Sequence, residues 1–130
     1  RLRSGQRYRC VFEVRFTLEA HHVRCAMLIK TPDGARLGGA WTAPSMEAGI
    51  EDAPAGAAAE AEFEFACTLN PGVYLLSVAA FGSEAGVEYA LHGLQGALHF
   101  QVEADAERAT IGAVDFGCRP TIRLSASPGA

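Results

Sequence analysis

The chain has 130 residues, 49% of them hydrophobic and 20% charged, so it is long enough to bury one core without a metal or disulfide staple. Eleven basic and fifteen acidic residues give a formal net charge of −4, without the basic stripe that would favour nucleic acid or an anionic membrane. The apolar runs are the length of strands and no signal peptide is present, so we expect neither a nucleic-acid partner nor direct membrane insertion.

The first predicted strand is the clearest in the chain. Residues 8–18 alternate between an apolar and a polar set, with only Val11 interrupting, which is the period of a strand with one buried face. The core-facing set is Tyr8, Cys10, Phe12, Val14, Phe16 and Leu18. His21 and His22 then mark a predicted turn.

A second strand and a weaker third one follow this turn. The inward set of the second strand is Val23, Cys25, Met27 and Ile29. The second strand is predicted to end at the turn-forming residues TPDG, 31–34. The third strand, residues 35–42, contains Gly38 and Gly39, and paired glycines in a strand indicate a bulge or the close approach of another group.

A predicted hairpin lies at the centre of the chain, after a long loop at residues 43–59. Two prolines and two glycines interrupt that loop, so we do not expect a helix there. From residue 61 to residue 69, apolar side chains at the odd positions alternate with a set that includes Glu62, Glu64 and Thr68, and residues 73–81 are more continuously apolar. The short Asn70-Pro71-Gly72 turn between them predicts an antiparallel hairpin.

The C-terminal third is predicted to contain a loop at residues 82–96, with room for a short strand at 87–91, and a strand at 98–102. A charged connection leads to a last strand at 112–118, and residues 119–130 are expected to be a tail. Seven or eight short strands predict an all-β, antiparallel β-sandwich of immunoglobulin-like or jelly-roll type. We expect one domain over residues 1–130 with an ordered core of about 7–118, excised from a longer chain because the first residue is not methionine.

The cysteines and histidines do not predict a metal site. Cys10, Cys25, Cys67 and Cys118 form no C-x-x-C pair, so buried reduced thiols of a cytoplasmic protein are favoured over a disulfide framework or zinc. The histidines, which are His21, His22, His92 and His99, lack the close H-x-H pair of a cupin metal site. They are interpreted as solvent-facing or turn residues.

The sequence lacks several motifs that are typical of enzymes. The sequence contains no glycine-rich phosphate loop, G-x-S-x-G elbow, H-E-x-x-H pair or calcium loop, so we expect no ATP binding, no cofactor and no catalysis by this chain. The acidic row Glu60, Glu62 and Glu64 has the spacing of a carboxylate pair, but a solvated strand face is the favoured interpretation. Trp41, the single tryptophan, is either half-buried in the core or exposed and able to stack on a sugar.

In order, these pieces resemble a known family. The matching stretches are YRCVFEVRFTL, AMLIKTPDGARLGG, FEFACTLNPGVYLLSVAAF, LHFQVE and IGAVDF. They resemble the C-terminal carbohydrate-binding domain of the ATPase subunit of O-antigen polysaccharide ABC exporters, the Wzt-type C-terminal domain. The resemblance covers about residues 8–118, and its most specific element is the L-x-P-G-x-Y pattern of residues 69–74.

The resemblance implies a cytoplasmic β-sandwich that recognises the finished, often capped, non-reducing end of an O-antigen polysaccharide before export. It also implies a homodimer, in which a terminal strand such as residues 112–118 can be exchanged, and a full protein with an ATPase domain and a membrane subunit. The family's sugar-contacting residues vary with the glycan, so the candidates for sugar binding are polar and aromatic side chains on predicted outer faces and loops. They are Trp41, Arg24, Tyr89, His99 and Gln101.

Two other classes of function remain open from the sequence. A structural or protein-interaction sandwich without glycan specificity would use an exposed strand edge. A small β-fold enzyme such as a cupin would need three converging histidines. A carbohydrate-binding module would instead need Trp41 or Tyr89 on a concave sheet face.

Overall fold

The computed structural model describes residues 1–125, apart from the side chains of residues 94, 95 and 97. This part of the chain forms seven strands and no helix. They are β1 (Arg7–Arg15), β2 (Ala20–Lys30), β3 (Arg36–Trp41), β4 (Ile50–Ala53), β5 (Ala58–Ala66), β6 (Gly72–Glu84) and β7 (Val87–Val102).

The strands form two layers of unequal size. β1 and β5 make a two-stranded antiparallel sheet, and the other sheet has the order β3-β2-β6-β7, with β4 also paired to β2. The core between the layers includes Met27 and Phe63, one from each sheet, together with Tyr74 and Val102. This architecture confirms the predicted all-β antiparallel sandwich.

The inward faces of the first strands follow the period of two. In β2, Val23, Cys25, Met27 and Ile29 are buried, while the residues between them are less covered. In β5, Ala61 and Phe63 are buried between exposed glutamates. The alternation therefore identified the core face of each strand correctly.

The predicted central hairpin is wrong. β5 pairs with β1, whereas β6 pairs with β2 and β7, so residues 70–72 carry the chain from one sheet to the other. Gly72 has a φ of 158° and lies close to the Tyr74 ring, whose atoms are 3.4 Å or more from the position of a β-carbon there. An alternating pattern reports which face of a strand is buried, but two strands joined by a short turn need not be partners.

Three predicted turns and loops contain strands instead. His21 and His22 lie inside β2, where His22 has a φ of 49°. The loop at residues 43–59 contains β4 and the start of β5. The loop at residues 82–96 is the end of β6 and most of β7, which turn through Ala85 and Gly86 at positive φ. Short or glycine-rich strands such as these carry little alternation of their own.

The predicted last strand, residues 112–118, is also wrong within the described chain. Only Val114 forms a bridge there, to Leu69. Buried Asn70 supports this segment, because its Nδ2 lies within 3.2 Å of the carbonyl oxygens of Ile111, Gly112 and Val114. Residues 119–125 form no regular element and are exposed, and the rest of the predicted tail, residues 126–130, lies outside the described residues.

The four cysteines are free thiols with different exposure. Cys25 and Cys67 are buried and Cys10 is partly buried, in line with the interpretation as core residues. Cys118 is exposed, which contradicts that interpretation because the strand that would have buried it does not form. Burial raises the pKa of the Cys10 and Cys25 thiols.

The two glycines of β3 differ in the space around them, which yields a matched test. A β-carbon on Gly39 would lie 1.9 Å from the carbonyl oxygen of Met27, whereas one on Gly38 meets nothing within 4 Å. We expect Gly39→Ala to lower the free energy of unfolding by about 1–3 kcal/mol or to prevent folding. Gly38→Ala serves as the control and is expected to be near neutral. Urea denaturation of both variants measures the difference, and equal stability would contradict the close approach.

Candidate functional site

An open groove of about 520 Å³ lies on the outer face of the larger sheet. Its middle is lined by small side chains, because Ala26 of β2 lies opposite Ala79 of β6 in the strand register. Trp41 and Phe81 line one end of the groove, and Arg36 also lines it. A groove with an aromatic wall and small residues in its middle has the shape and surface to hold a small extended ligand.

Trp41 is the most prominent side chain of the groove. Its position opposite Ala26 places it on the outer face, where it is 44% exposed. Its ring centroid lies 5.1 Å from that of Phe81, at an interplanar angle of 56°. The guanidinium carbon of Arg24 lies 3.7 Å from the Trp41 ring centroid, a cation–π contact that covers part of the ring.

Arg24 is held over this ring by other parts of the protein. Its Nε and Nη2 donate to the two carboxylate oxygens of Glu88 at 2.7 and 2.9 Å, and its Nη1 donates to the Ala43 carbonyl at 3.3 Å. The two charged side chains are only 13% and 22% exposed. The hydrogen bond from Arg24 lowers the pKa of Glu88. Arg24 therefore orients Trp41, while its own donors are engaged within the protein.

The five residues nominated from the sequence fall into three places. Arg24 and Trp41 lie together at the groove. Tyr89, 39% exposed, is next to Glu88 in β7 and so points to the opposite side of the sheet, towards Gly82. His99 and Gln101 are exposed on the outer face, opposite Leu75 and Val73, which lie roughly 20 and 26 Å along β6 from Phe81.

The sequence reasoning missed Phe81, Glu88 and Arg36. Phe81 ends an apolar run that was assigned to the core, and nothing in that run marks the face on which its ring lies. Glu88 lies in the region predicted as a loop, and its partner Arg24 is 64 residues away. Only the pairing of β2 with β6, and of β6 with β7, brings these groups together.

A second cluster of polar groups surrounds His21, outside the groove. Its Nδ1 lies 2.6 Å from Asp52 and its Nε2 3.8 Å from Glu19, and the donor atoms of the three residues lie within 4.8 Å of one another. The hydrogen bond to Asp52 raises the pKa of His21. Because each carboxylate faces a different ring nitrogen, the arrangement favours the imidazolium form of His21. It is a structural contact between β2 and β4.

The predicted acidic row lies on the outer face of the smaller sheet. Glu62 and Glu64 are exposed and form ion pairs with Arg9 at 2.9 Å and Arg7 at 3.0 Å. Their neutralisation across the β1–β5 pair favours the interpretation as a solvated strand face over a glycosidase pair. The described residues contain no helix that is long and apolar enough to span a membrane.

Comparisons with known proteins give a family and a fold. A family model described as the Wzt C-terminal domain matches residues 1–116. A solved structure, the crystal structure of the C-terminal domain of wzt, superposes with a TM-score of 0.75 at 22% sequence identity. That alignment covers 94% of this chain and 73% of the other and shows a common fold. No curated protein matches the chain.

The Arg24–Glu88 pair generates a test in acid. Because the pKa of Glu88 is lowered in the folded state, the pair contributes stability above the ordinary pKa of glutamate, about 4.3, and loses it as the pH falls through the lowered value. We therefore expect Trp41 fluorescence to change as the pH falls below the ordinary pKa of glutamate and Arg24 is released. Glu88→Gln should show the released spectrum at neutral pH, without this acid transition. An unchanged acid transition in the variant would rule out Glu88 as its origin.

Proposed function

This chain belongs to the Wzt C-terminal domain family, and from that premise we propose that it is a non-catalytic carbohydrate-binding module of a polysaccharide ABC exporter. Its ligand is the non-reducing end of an O-antigen chain, which it binds in the cytoplasm before export. In the full protein it acts beside an ATPase domain and a membrane subunit. The groove walled by Trp41 is the observation that carries this proposal.

Two parts of the groove support sugar binding, its aromatic wall and its middle lined by small residues. Trp41 is exposed enough to stack on the apolar face of a pyranose, and Phe81 extends the same wall. The small residues Ala26 and Ala79 leave room for the rest of the glycan in the middle of the groove. Because Arg24 and Glu88 already hold the indole ring, binding costs little ordering of the protein.

Features at the end of the described chain support a homodimer that exchanges a strand. Four large apolar residues are almost fully exposed there: Ile111, Phe116, Ile122 and Leu124. An apolar cavity of about 260 Å³, lined by Leu37, Phe65 and Val114 among others, opens between β3 and β5. A strand from a second copy entering this opening would cover apolar surface and complete the smaller sheet.

The same exposed edges favour one alternative function. A structural or protein-interaction module without glycan specificity would bind an extended segment of another protein beside β3 or β5. The two proposals differ in the surface that the ligand covers. A glycan reader uses the outer face of the larger sheet, and an interaction module uses the opening between the sheets.

Titration with the source organism's own O-polysaccharide tests the glycan proposal. We expect saturable changes in Trp41 fluorescence and amide NMR shifts confined to β2, β3 and β6. Trp41→Ala should weaken binding about tenfold or more through loss of stacking, with Trp41→Phe as a milder variant. Tyr89→Ala, which removes a similarly exposed ring on the other side of the sheet, should bind normally. Absence of shifts from a folded protein would favour the interaction module.

Sedimentation analysis tests the dimer. We expect the wild-type chain to sediment as a dimer and the double variant Ile122→Asp/Leu124→Asp as a folded monomer, since two charges would be buried in the exchanged segment. Val87→Asp adds a charge at an exposed apolar residue near the tip of the β6–β7 hairpin and is the control. A double variant that remains dimeric would contradict exchange of this segment.

A further inference from the structure

The outer face of the larger sheet has a basic end as well as an aromatic one. In the strand register, Arg36 of β3 lies opposite Lys30 of β2, Lys30 lies opposite Leu75 of β6, and Leu75 lies opposite His99 of β7. The basic row, Arg36, Lys30 and His99, therefore crosses four adjacent strands, a width of about 14 Å. It lies about 13 Å along β2 from Ala26, the residue opposite Trp41.

Arg36 differs in its surroundings from the other four arginines that lie in the described strands. Six arginines lie within 3.2 Å of a carboxylate oxygen: Arg3, Arg7, Arg9, Arg15, Arg24 and Arg108. Arg36 is exposed, lines the groove, and faces no carboxylate in the described part of the chain. In a protein with a net charge of −4, a guanidinium without a carboxylate partner in a groove is available to an anionic ligand.

We infer that the groove is built for an acidic glycan, with an anionic substituent on the basic row and a sugar face on Trp41. This inference rests on the proposed function and names the chemical class of its ligand. A carboxylate or a phosphate can accept two parallel N–H bonds from Arg36, the member of the basic row that lines the groove. Lys30 takes part in an interaction of its own, and the inference does not require it to be free.

The two ends of the groove give the ligand a direction. Stacking on Trp41 is insensitive to salt, whereas pairing with Arg36 is weakened by screening. With the two ends about 13 Å apart, the sugar that stacks and the sugar that carries the charge are different residues of the glycan. A neutral glycan would fill the aromatic end alone and would bind more weakly.

The experiment uses the source organism's O-polysaccharide in three forms: native, carboxyl-reduced and dephosphorylated. We expect native polymer to bind the wild-type protein about three- to tenfold more tightly than the form that has lost the recognised anion, and the difference to shrink at high salt. Whichever of the two treatments weakens binding identifies the recognised anion as carboxylate or phosphate. Arg36→Gln should bind native polymer as weakly as the wild type binds the neutralised form.

The control is Arg9→Gln, which removes the same charge from the outer face of the smaller sheet and should leave binding unchanged. If native and neutralised polymers bind alike, or if Arg36→Gln has no effect, the inference fails although the chain still reads glycans. Binding of a polymer that contains neither carboxylate nor phosphate as tightly as the native polymer also overturns it. If no form binds to the folded protein, the proposed function fails with it.

Discussion

The side chain of Asn70 occupies the point where the two sheets and the C-terminal segment meet. Its amide nitrogen donates to the backbone carbonyl oxygens of Ile111 and Gly112 at 3.0 Å, while the backbone carbonyl oxygen of Asn70 accepts a 2.5 Å hydrogen bond from the Tyr74 hydroxyl. Both side chains are buried, so these hydrogen bonds replace water that the site excludes. Without them, the buried Asn70 amide and Tyr74 hydroxyl would be left without hydrogen-bond partners.

This junction explains how a short sequence element positions a distant surface. β6 begins two residues after Asn70 and runs through the centre of the larger sheet, where it carries Ala79 and Phe81 to the groove. β2 lies on one side of β6 and β7 on the other, which brings Arg24 within reach of Glu88. The indole of Trp41 is thus oriented by groups from three strands, an arrangement that would reduce the entropy lost if the proposed ligand stacks on it.

The faces of the strands could be predicted from the sequence, but their partners could not. The alternation in β1, β2 and β5 follows directly from burial of one face, and it identified Met27 and Phe63 as core residues. Which strand lies beside which depends on the whole sheet, so the turn after Leu69 appeared to close a hairpin. The sequence predicts two short strands in place of the single strand β7, because register shifts and glycines near its middle interrupt the pattern. Of the groove, Trp41 and Arg24 were found by residue type, whereas Glu88 required the three-dimensional pairing.

The different chain separations of the strand pairs have a consequence for how the molecule folds. β6 and β7 are joined by Ala85 and Gly86, and β2 and β3 by residues 31–35, so these pairs close short loops. β1 and β5 are separated by the 42 residues between Arg15 and Ala58, and their pairing closes a much larger loop at a higher entropic cost. We expect amide protons of the larger sheet to gain protection first in pulsed hydrogen-exchange refolding. Simultaneous protection of both sheets would contradict this order, in which the layer that carries the groove forms before the layer that covers its back.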